Sequence, residues 1–321
     1  MNETEKILYD IFNDPVNIIL NFLCKPDPSL RDACKYGYYE KVEAFIEKRS
    51  TSFNGGSALN DALANACLYG HIGIAKLLIY NCNSEFDWDW NRGLACACHN
   101  SRNMEIILLM ISYGADDWNR ALACACESGN MDAVQLMIKK LGSEATLDEW
   151  NYGLDAACRG GYTEIAKLMI EKGAEGVDWA LKYACSSGNL DTVNLLIEHG
   201  TCKKGSYYYN LGLKYACKSG NMSIINLMVK YGANDYIKAL EGACLGGNIK
   251  ICLFVIEKLE GICDYSDWGL KNACDGGHID ILNLMIRQGA DWDLWIESEY
   301  DEDNEEHQKI YRRYIRYRSS R

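Results

Sequence analysis

Two stretches carry the reading of this chain: Ala125–Gly142, ACESGNMDAVQLMIKKLG, and Ala157–Gly173, ACRGGYTEIAKLMIEKG. Each opens on Ala-Cys, places a glycine three residues after the cysteine and runs on into a Leu-Met-Ile block. Self-similarity at a spacing of a few tens of residues marks stacked repeats and has to be followed before any single element is read. The Ala-Cys pair recurs in register nine times, with its cysteines at Cys34, Cys67, Cys98, Cys126, Cys158, Cys185, Cys217, Cys244 and Cys274. Three residues on stands Gly37, Gly70, Gly129, Gly161, Gly188, Gly220, Gly247 or Gly277; the third unit has Ser101 there and one extra residue. So regular a glycine implies a left-handed backbone position just past a short helix, where a Cβ is penalised.

Seven residues before the cysteine stand Asn91, Asn119, Asn151, Asp178, Asn210 and Asp267. Asn and Asp accept backbone N–H bonds at helix starts, so these residues are expected to cap the first helix of each unit. Beyond the glycine, blocks such as Leu136-Met137-Ile138 and Leu195-Leu196-Ile197 follow Val134 and Val193 with i, i+3, i+4 spacing on one helical face. Each unit therefore reads as a helix, a glycine turn and a second helix.

This pattern resembles the ankyrin repeat family. The unit Asp275–Asp291, DGGHIDILNLMIRQGAD, is similar to the family pattern nearly throughout, and the resemblance spans about Leu30 to Ala290. It implies an all-α, ankyrin-type α-solenoid of about nine helix-turn-helix repeats with helical N- and C-terminal caps. It also implies a non-catalytic scaffold that binds a partner protein through the concave face of the array. Two features depart from the family: forms such as WNYGL at Trp150–Leu154 replace its usual helix start, and cysteine replaces the second alanine of its Ala-Ala pair. With its Asp-Trp, Ala-Cys and Gly-Asn flavour, the array looks most like the ankyrin proteins of large DNA viruses of amoebae. That likeness implies a viral protein in host-virus interaction.

An alanine position of the first helix faces the neighbouring unit, so the nine cysteines read as small hydrophobic filler. The closest pairs, Cys96 with Cys98 and Cys124 with Cys126, stand two apart on a helix and point about 200° from one another, so neither pair chelates one ion and no metal or other cofactor is expected. The sixteen cysteines could suggest a secreted scaffold, but MNETEKILYDIFNDP offers acidic residues where a signal peptide needs a basic start. The densest apolar window, VNIILNFLC at Val16–Cys24, is interrupted by Asn17 and Asn21, so no membrane segment is expected. An intracellular protein of the cytoplasm, or of the nucleus, is the expectation; if viral, it acts in the host cell.

Hydrophobic residues make up 48% and charged residues 24% of 321 residues, enough apolar material for a packed core. A net charge of −12 opposes attraction to phosphate backbones and argues against nucleic acid as a partner; a basic or neutral protein fits better. No small-molecule substrate is indicated. The five histidines are scattered, with His71 and His278 in Gly-His turns. No H-E-x-x-H, P-loop or G-x-G-x-x-G occurs, so an enzyme is not expected.

Successive cysteines are separated by 33, 31, 28, 32, 27, 32, 27 and 30 residues, and four pairs of cysteines two units apart lie 59 apart. Two units read as one larger period, and linkers such as YGADDWNR at Tyr113–Arg120 are too short for a full β-finger, so long and short loops are expected in turn. Binding residues are expected at the two positions after each cysteine and at the aromatic eight before it. The candidates are Tyr69, Trp90, Trp118, Glu127, Trp150, Arg159, Tyr209, Lys218 and Tyr236. For the aromatic set two readings stand: binding hot spots, or rings that cover the gap left by shortened fingers.

The chain divides into an N-terminal helical cap at 1–28, nine repeats at 29–290 and a charged C-terminal helix or tail at 291–321. Within the first segment, DPVNIILNFL resembles the start of an F-box, so the alternative to a cap is a ubiquitin-ligase substrate adaptor recruiting through that segment. A further alternative is a structural component of a virus particle. At the C-terminus acids precede bases, as suits a capping helix, while Arg312, Arg313, Arg316 and Arg318 could instead form a nuclear-import or nucleic-acid patch.

Overall fold

The structure, a computed structural model, describes residues 29–47, 56–81, 86–100, 104–259, 265–298, 301–305, 307–309, 311–312 and 315. The expected N-terminal cap at 1–28 lies outside the described residues, as do Arg313, Arg316 and Arg318. Among the described residues the regular structure is entirely helical. The first helices of the nine repeats are α1 (Leu30–Tyr36), α3 (Gly56–Leu68), α5 (Trp90–Asn100), α7 (Trp118–Ser128), α9 (Leu147–Gly160), α11 (Val177–Ser187), α13 (Tyr207–Ser219), α15 (Tyr236–Gly246) and α17 (Tyr265–Asp275). Their second helices are α2 (Tyr39–Glu47), α4 (Ile72–Asn81), α6 (Met104–Ser112), α8 (Met131–Leu141), α10 (Thr163–Glu171), α12 (Leu190–His199), α14 (Met222–Lys230), α16 (Ile249–Lys258) and α18 (Ile279–Arg287). A short α19 (Trp292–Ser298) follows. The chain forms two compact units, Met1–Ala121 and Leu122–Arg321.

All eight glycines expected to be left-handed are so, with φ between 74° and 81°. The residue after the glycine does two jobs. Asn189 caps α12 by accepting from Thr192 N–H at 3.0 Å, and its side-chain amide donates to the Gly161 carbonyl of the preceding repeat at 2.7 Å. Asn221 repeats this on α14 and the Gly188 carbonyl. Where the turn is Gly-His, the ring takes over the reach backwards, with His278 Nε2 3.2 Å from the Leu245 carbonyl and His71 Nε2 3.2 Å from that of Lys35.

The residues seven before the cysteine act differently from the expected caps. The helices begin earlier than that reading assumed, and the residue before the helix caps it: Asp89 Oδ1 accepts from Arg92 N–H at 2.8 Å and Asp235 Oδ1 from Lys238 N–H at 3.1 Å. Asn91, Asn151 and Asn210 already lie inside the helix and fasten the next linker. Asn151 Oδ1 accepts from Glu175 and Gly176 N–H at 2.9 and 2.8 Å; Asn210 Oδ1 accepts from Asn234 and Asp235 N–H at 2.8 and 3.0 Å. Asn91 holds Asp116 and Asp117 in the same way, and Asp267 holds Asp291. One side-chain oxygen thus replaces the finger that a longer linker would form. Replacing Asn210 with Ala strips two N–H groups of their acceptor and is expected to cost about 1–3 kcal/mol. Asn210→Asp keeps the acceptor and should cost less; urea unfolding followed by circular dichroism separates the two.

The expected alternation of long and short loops is corrected. Linkers 113–117, 142–146, 172–176 and 231–235 are equally long, and only 200–206 is longer among these. The alternation sits mainly in the helices: α9 has 14 residues and α13 has 13, against 11 in α7, α11 and α15. The core shows why two repeats form the period. In repeats three, five, seven and nine a helical glycine faces a methionine of its own second helix and a cysteine of the preceding repeat. A Cβ on Gly153 would stand 2.6 Å from Met169 Sδ and 3.6 Å from Cys126 Sγ; Gly212 faces Met228 and Cys185, and Gly269 faces Met285 and Cys244. Repeats six and eight carry Ala180 with Leu196 and Ala239 with Val255 at the same positions, all buried. Volume is traded between the two helices, as a close-packed interior requires. Repeat four departs from this alternation in sequence, with Ala121 and Met137 at the two positions.

The nine register cysteines are fully buried. Burial pushes the thiols of Cys34, Cys126 and Cys217 up to about 12, and thiolate, the reactive and ligating form, is suppressed there. Cys67 and Cys185 place Sγ 3.7 and 3.8 Å from the thioethers of Met110 and Met228. These thiols act as packing groups.

Candidate protein-recognition face

On a helix, positions i, i+3, i+4 and i+7 share one side. Counting from the buried cysteine, that side of the first helices holds the residues six, three and two before it and one after it. In α9 these include Tyr152, Asp155 and Arg159; in α11, Trp179, Lys182, Tyr183 and Ser186. Tyr152 is 68% exposed, Trp179 45% and Trp268, at the same position in α17, 55%. None of these three is among the residues expected from the sequence. The signal was present, since each stands seven residues before the variable position that follows the cysteine.

The expected aromatic set divides. Trp150 and Tyr209 are buried, at 9% and 5% exposure. Eight before the cysteine is seven before the buried alanine, two helical turns away and on the same inward side. Tyr209 stacks on Tyr231 with centroids 5.4 Å apart, and Trp90 on Tyr113 at 4.8 Å. These rings pack against linker residues, as the packing reading holds. Trp118 and Tyr236 are half-buried, and Tyr69 is exposed with Lys35 Nζ 5.7 Å from its ring. The second position after the cysteine is also corrected. A Cβ on Gly276 would meet the Leu245 carbonyl oxygen at 2.7 Å, and Gly160 and Gly246 lie similarly tight against the Glu127 and Lys218 carbonyls. Ser187 turns its hydroxyl onto its own helix, to the Ala184 carbonyl, while the Ser219 hydroxyl lies within reach of both its own Ala216 carbonyl and the Cys185 carbonyl of the preceding repeat. In repeats five, eight and nine helix approach decides that position, whereas Tyr69, at the same place in repeat two, stays exposed.

Glu127, Arg159 and Lys218 do lie on this side of the helices, and the first two meet, with Arg159 Nη1 3.4 Å from Glu127 Oε1. From there a continuous band crosses the second unit. The Arg159 guanidinium lies 4.8 Å from the Tyr183 ring; Lys182 Nζ lies 4.6 Å from the same ring and 3.3 Å from that of Trp179. Trp179 meets Tyr208 edge-on at 6.4 Å, Tyr208 meets Tyr207, and Lys238 Nζ lies 5.5 Å from Tyr207 while pairing with Asp235 at 3.1 Å. Beside it Lys214 pairs with Glu241 at 2.7 Å. Aromatic faces alternating with cations give a surface that can receive both apolar and charged side chains.

Burial pushes the Asp155 carboxyl up to about 6, with Lys182 and Arg159 pulling the other way. Because its folded value exceeds the ordinary 3.8, its favourable contribution is complete below about pH 4 and is lost as pH rises through about 6. Asp155→Asn is therefore expected to raise the denaturant midpoint at pH 7–8 and to leave it unchanged near pH 3.5, as a pH series of unfolding curves would show.

Among the described residues no three His, Cys, Asp or Glu side chains are grouped to hold a metal ion. None of the described helices is long and apolar enough to cross a membrane. His307, 6% exposed, places Nε2 3.0 Å from Asp275 Oδ1 and accepts at Nδ1 from Asp301 N–H, joining the C-terminal segment to α17.

A family model described as ankyrin repeats, in three copies, matches residues 94–178, 122–208 and 154–239. Among solved structures the chain is similar to the human ASB11 ankyrin repeat domain, at 19% identity over 72% of this chain and 97% of that one, with a TM-score of 0.35. No curated protein matches the chain. The fold is all-α and of the ankyrin type, a repeat class generally used for protein–protein interaction.

Proposed function

We propose that this chain, whose residues 94–239 match ankyrin repeats, is a non-catalytic protein-recognition scaffold that binds its partner through the first-helix face of the second unit. The observation that carries this reading is the cation–aromatic band from Arg159 to Lys238, in which Trp179 is 45% exposed. Exposed Trp and Tyr side chains with an Arg beside them are the residue types enriched where protein partners dock. The Asp-Trp, Ala-Cys and Gly-Asn flavour of the repeats supports a viral protein acting on a host protein in the host cytoplasm.

The test is affinity purification of the tagged protein from the presumed host cell with two variants alongside. Tyr152→Ala with Trp179→Ala removes two exposed rings of the face; Tyr80→Ala removes a ring of α4 that is 71% exposed. The expected result is one specific partner, lost by the first variant and retained by the second while both keep the wild-type circular dichroism spectrum. A partner retained by the face variant would contradict the reading.

A further inference from the structure

The first-helix face of the second unit runs against the charge of the whole. The protein carries −12, yet from α9 to α15 the outward positions hold five Lys or Arg residues against Asp155 and Glu241, with Glu127 and Asp235 pairing Arg159 and Lys238 from beside them. Two of the cations make no ion pair among the described residues, although Lys182 still acts on the nearby Asp155 carboxyl. Lys182, 9% exposed, has its ammonium against two rings, and among the described residues no carboxylate lies within ion-pair distance of it. Lys218 is exposed and likewise has no carboxylate at that distance among the described residues. An ammonium held by rings keeps its N–H donors available, and its desolvated setting strengthens any anion it meets.

We infer that this face takes an extended, acidic segment of a partner protein, whose carboxylates meet Lys182 and Lys218 while its apolar or aromatic side chains settle on Tyr152 and Trp179. The inference rests on the reading of the face as the recognition surface and adds the chemistry of the partner. Lys182 and Lys218 sit on neighbouring first helices, whose axes pack about 10 Å apart. An extended chain rises about 3.3 Å per residue, so carboxylates roughly three residues apart in the partner reach both. The net charge alone had suggested a basic or neutral partner; the local distribution of charge, not its sum, decides which segment docks.

The test uses the full chain and defined polymers: a random glutamate–tyrosine copolymer, poly-L-glutamate and poly-L-lysine, with binding read by fluorescence anisotropy. The copolymer is expected to bind best at 50 mM salt, to weaken at 300 mM salt, and to weaken at least tenfold with Lys182→Glu plus Lys218→Glu. A control, Lys167→Glu plus Lys230→Glu, makes the same charge change on exposed positions of α10 and α14 and is expected to bind as wild type. Thermal melts confirm that both variants fold; if the first does not, Lys218→Glu alone serves, with a smaller expected loss. The inference is overturned if the copolymer does not bind at low salt, if both double variants lose binding equally, or if poly-L-lysine competes for the face. A natural partner that needs Tyr152 and Trp179 but is insensitive to salt and to the copolymer would overturn this inference while leaving the recognition face standing.

Discussion

Gly242→Ala and Gly246→Ala are each expected to destabilise the second unit by about 1–3 kcal/mol. The same change at an exposed helix position would gain about 1 kcal/mol, because glycine is the poorer helix former. The sign inverts because the two glycines, four apart on α15, face the backbone of α13. A methyl on Gly242 would stand 2.9 Å from the Lys214 carbonyl carbon and one on Gly246 2.8 Å from that of Lys218, with the carbonyl oxygens nearer still. No rotamer change relieves a clash with backbone, so the two helices would have to separate and loosen the repeat interface on which stacked arrays depend. Guanidinium unfolding, followed by circular dichroism and fitted without assuming a single transition, should show the loss. A stabilised Ala variant at either position would contradict the close approach.

The second large effect is a rescue. Gly153→Ala alone forces Met169 aside and is expected to cost about 1–3 kcal/mol; Met169→Leu alone, a near volume-conserving swap, about 1 kcal/mol. Together they rebuild the Ala-with-Leu arrangement of repeat six, so the double variant should be more stable than the sum of the singles by about 1 kcal/mol or more. Additive losses would mean that Gly153 and Met169 do not share one packing site, and the structural account of the two-repeat period would fail with them.

How far the sequence was legible depended on whether a position admits one physical use. The glycine three after the cysteine has a single strong reason to recur, a left-handed turn, and every one of the eight is found there. The cysteines were equally plain, since a buried slot between helices accepts little else of that size. The asparagines seven before the cysteine were ambiguous. An Asx side chain accepts N–H groups equally well at its own helix start or from a neighbouring linker, and only the point at which the helix begins decides between them. The aromatic row was misplaced for a geometric reason: counting from the cysteine hid that Trp150 and Tyr209 sit two turns before the buried alanine, while Tyr152 and Trp179, two positions away from that row's register, point outward. The alternation in spacing was read as loops because loops usually absorb length differences; here added residues within α9 and α13 absorb much of it.

The central claim is that the first-helix face of the second unit touches the partner. Site-specific photocrosslinking tests it most directly, with benzoylphenylalanine placed singly at Trp179, Leu211 and Trp268 on first helices, and at Lys167, Asn194 and Asn226 on second helices. The account predicts crosslinks to one partner from the first set and none from the second. Crosslinks from Lys167, Asn194 or Asn226, with none from Trp179, would contradict it.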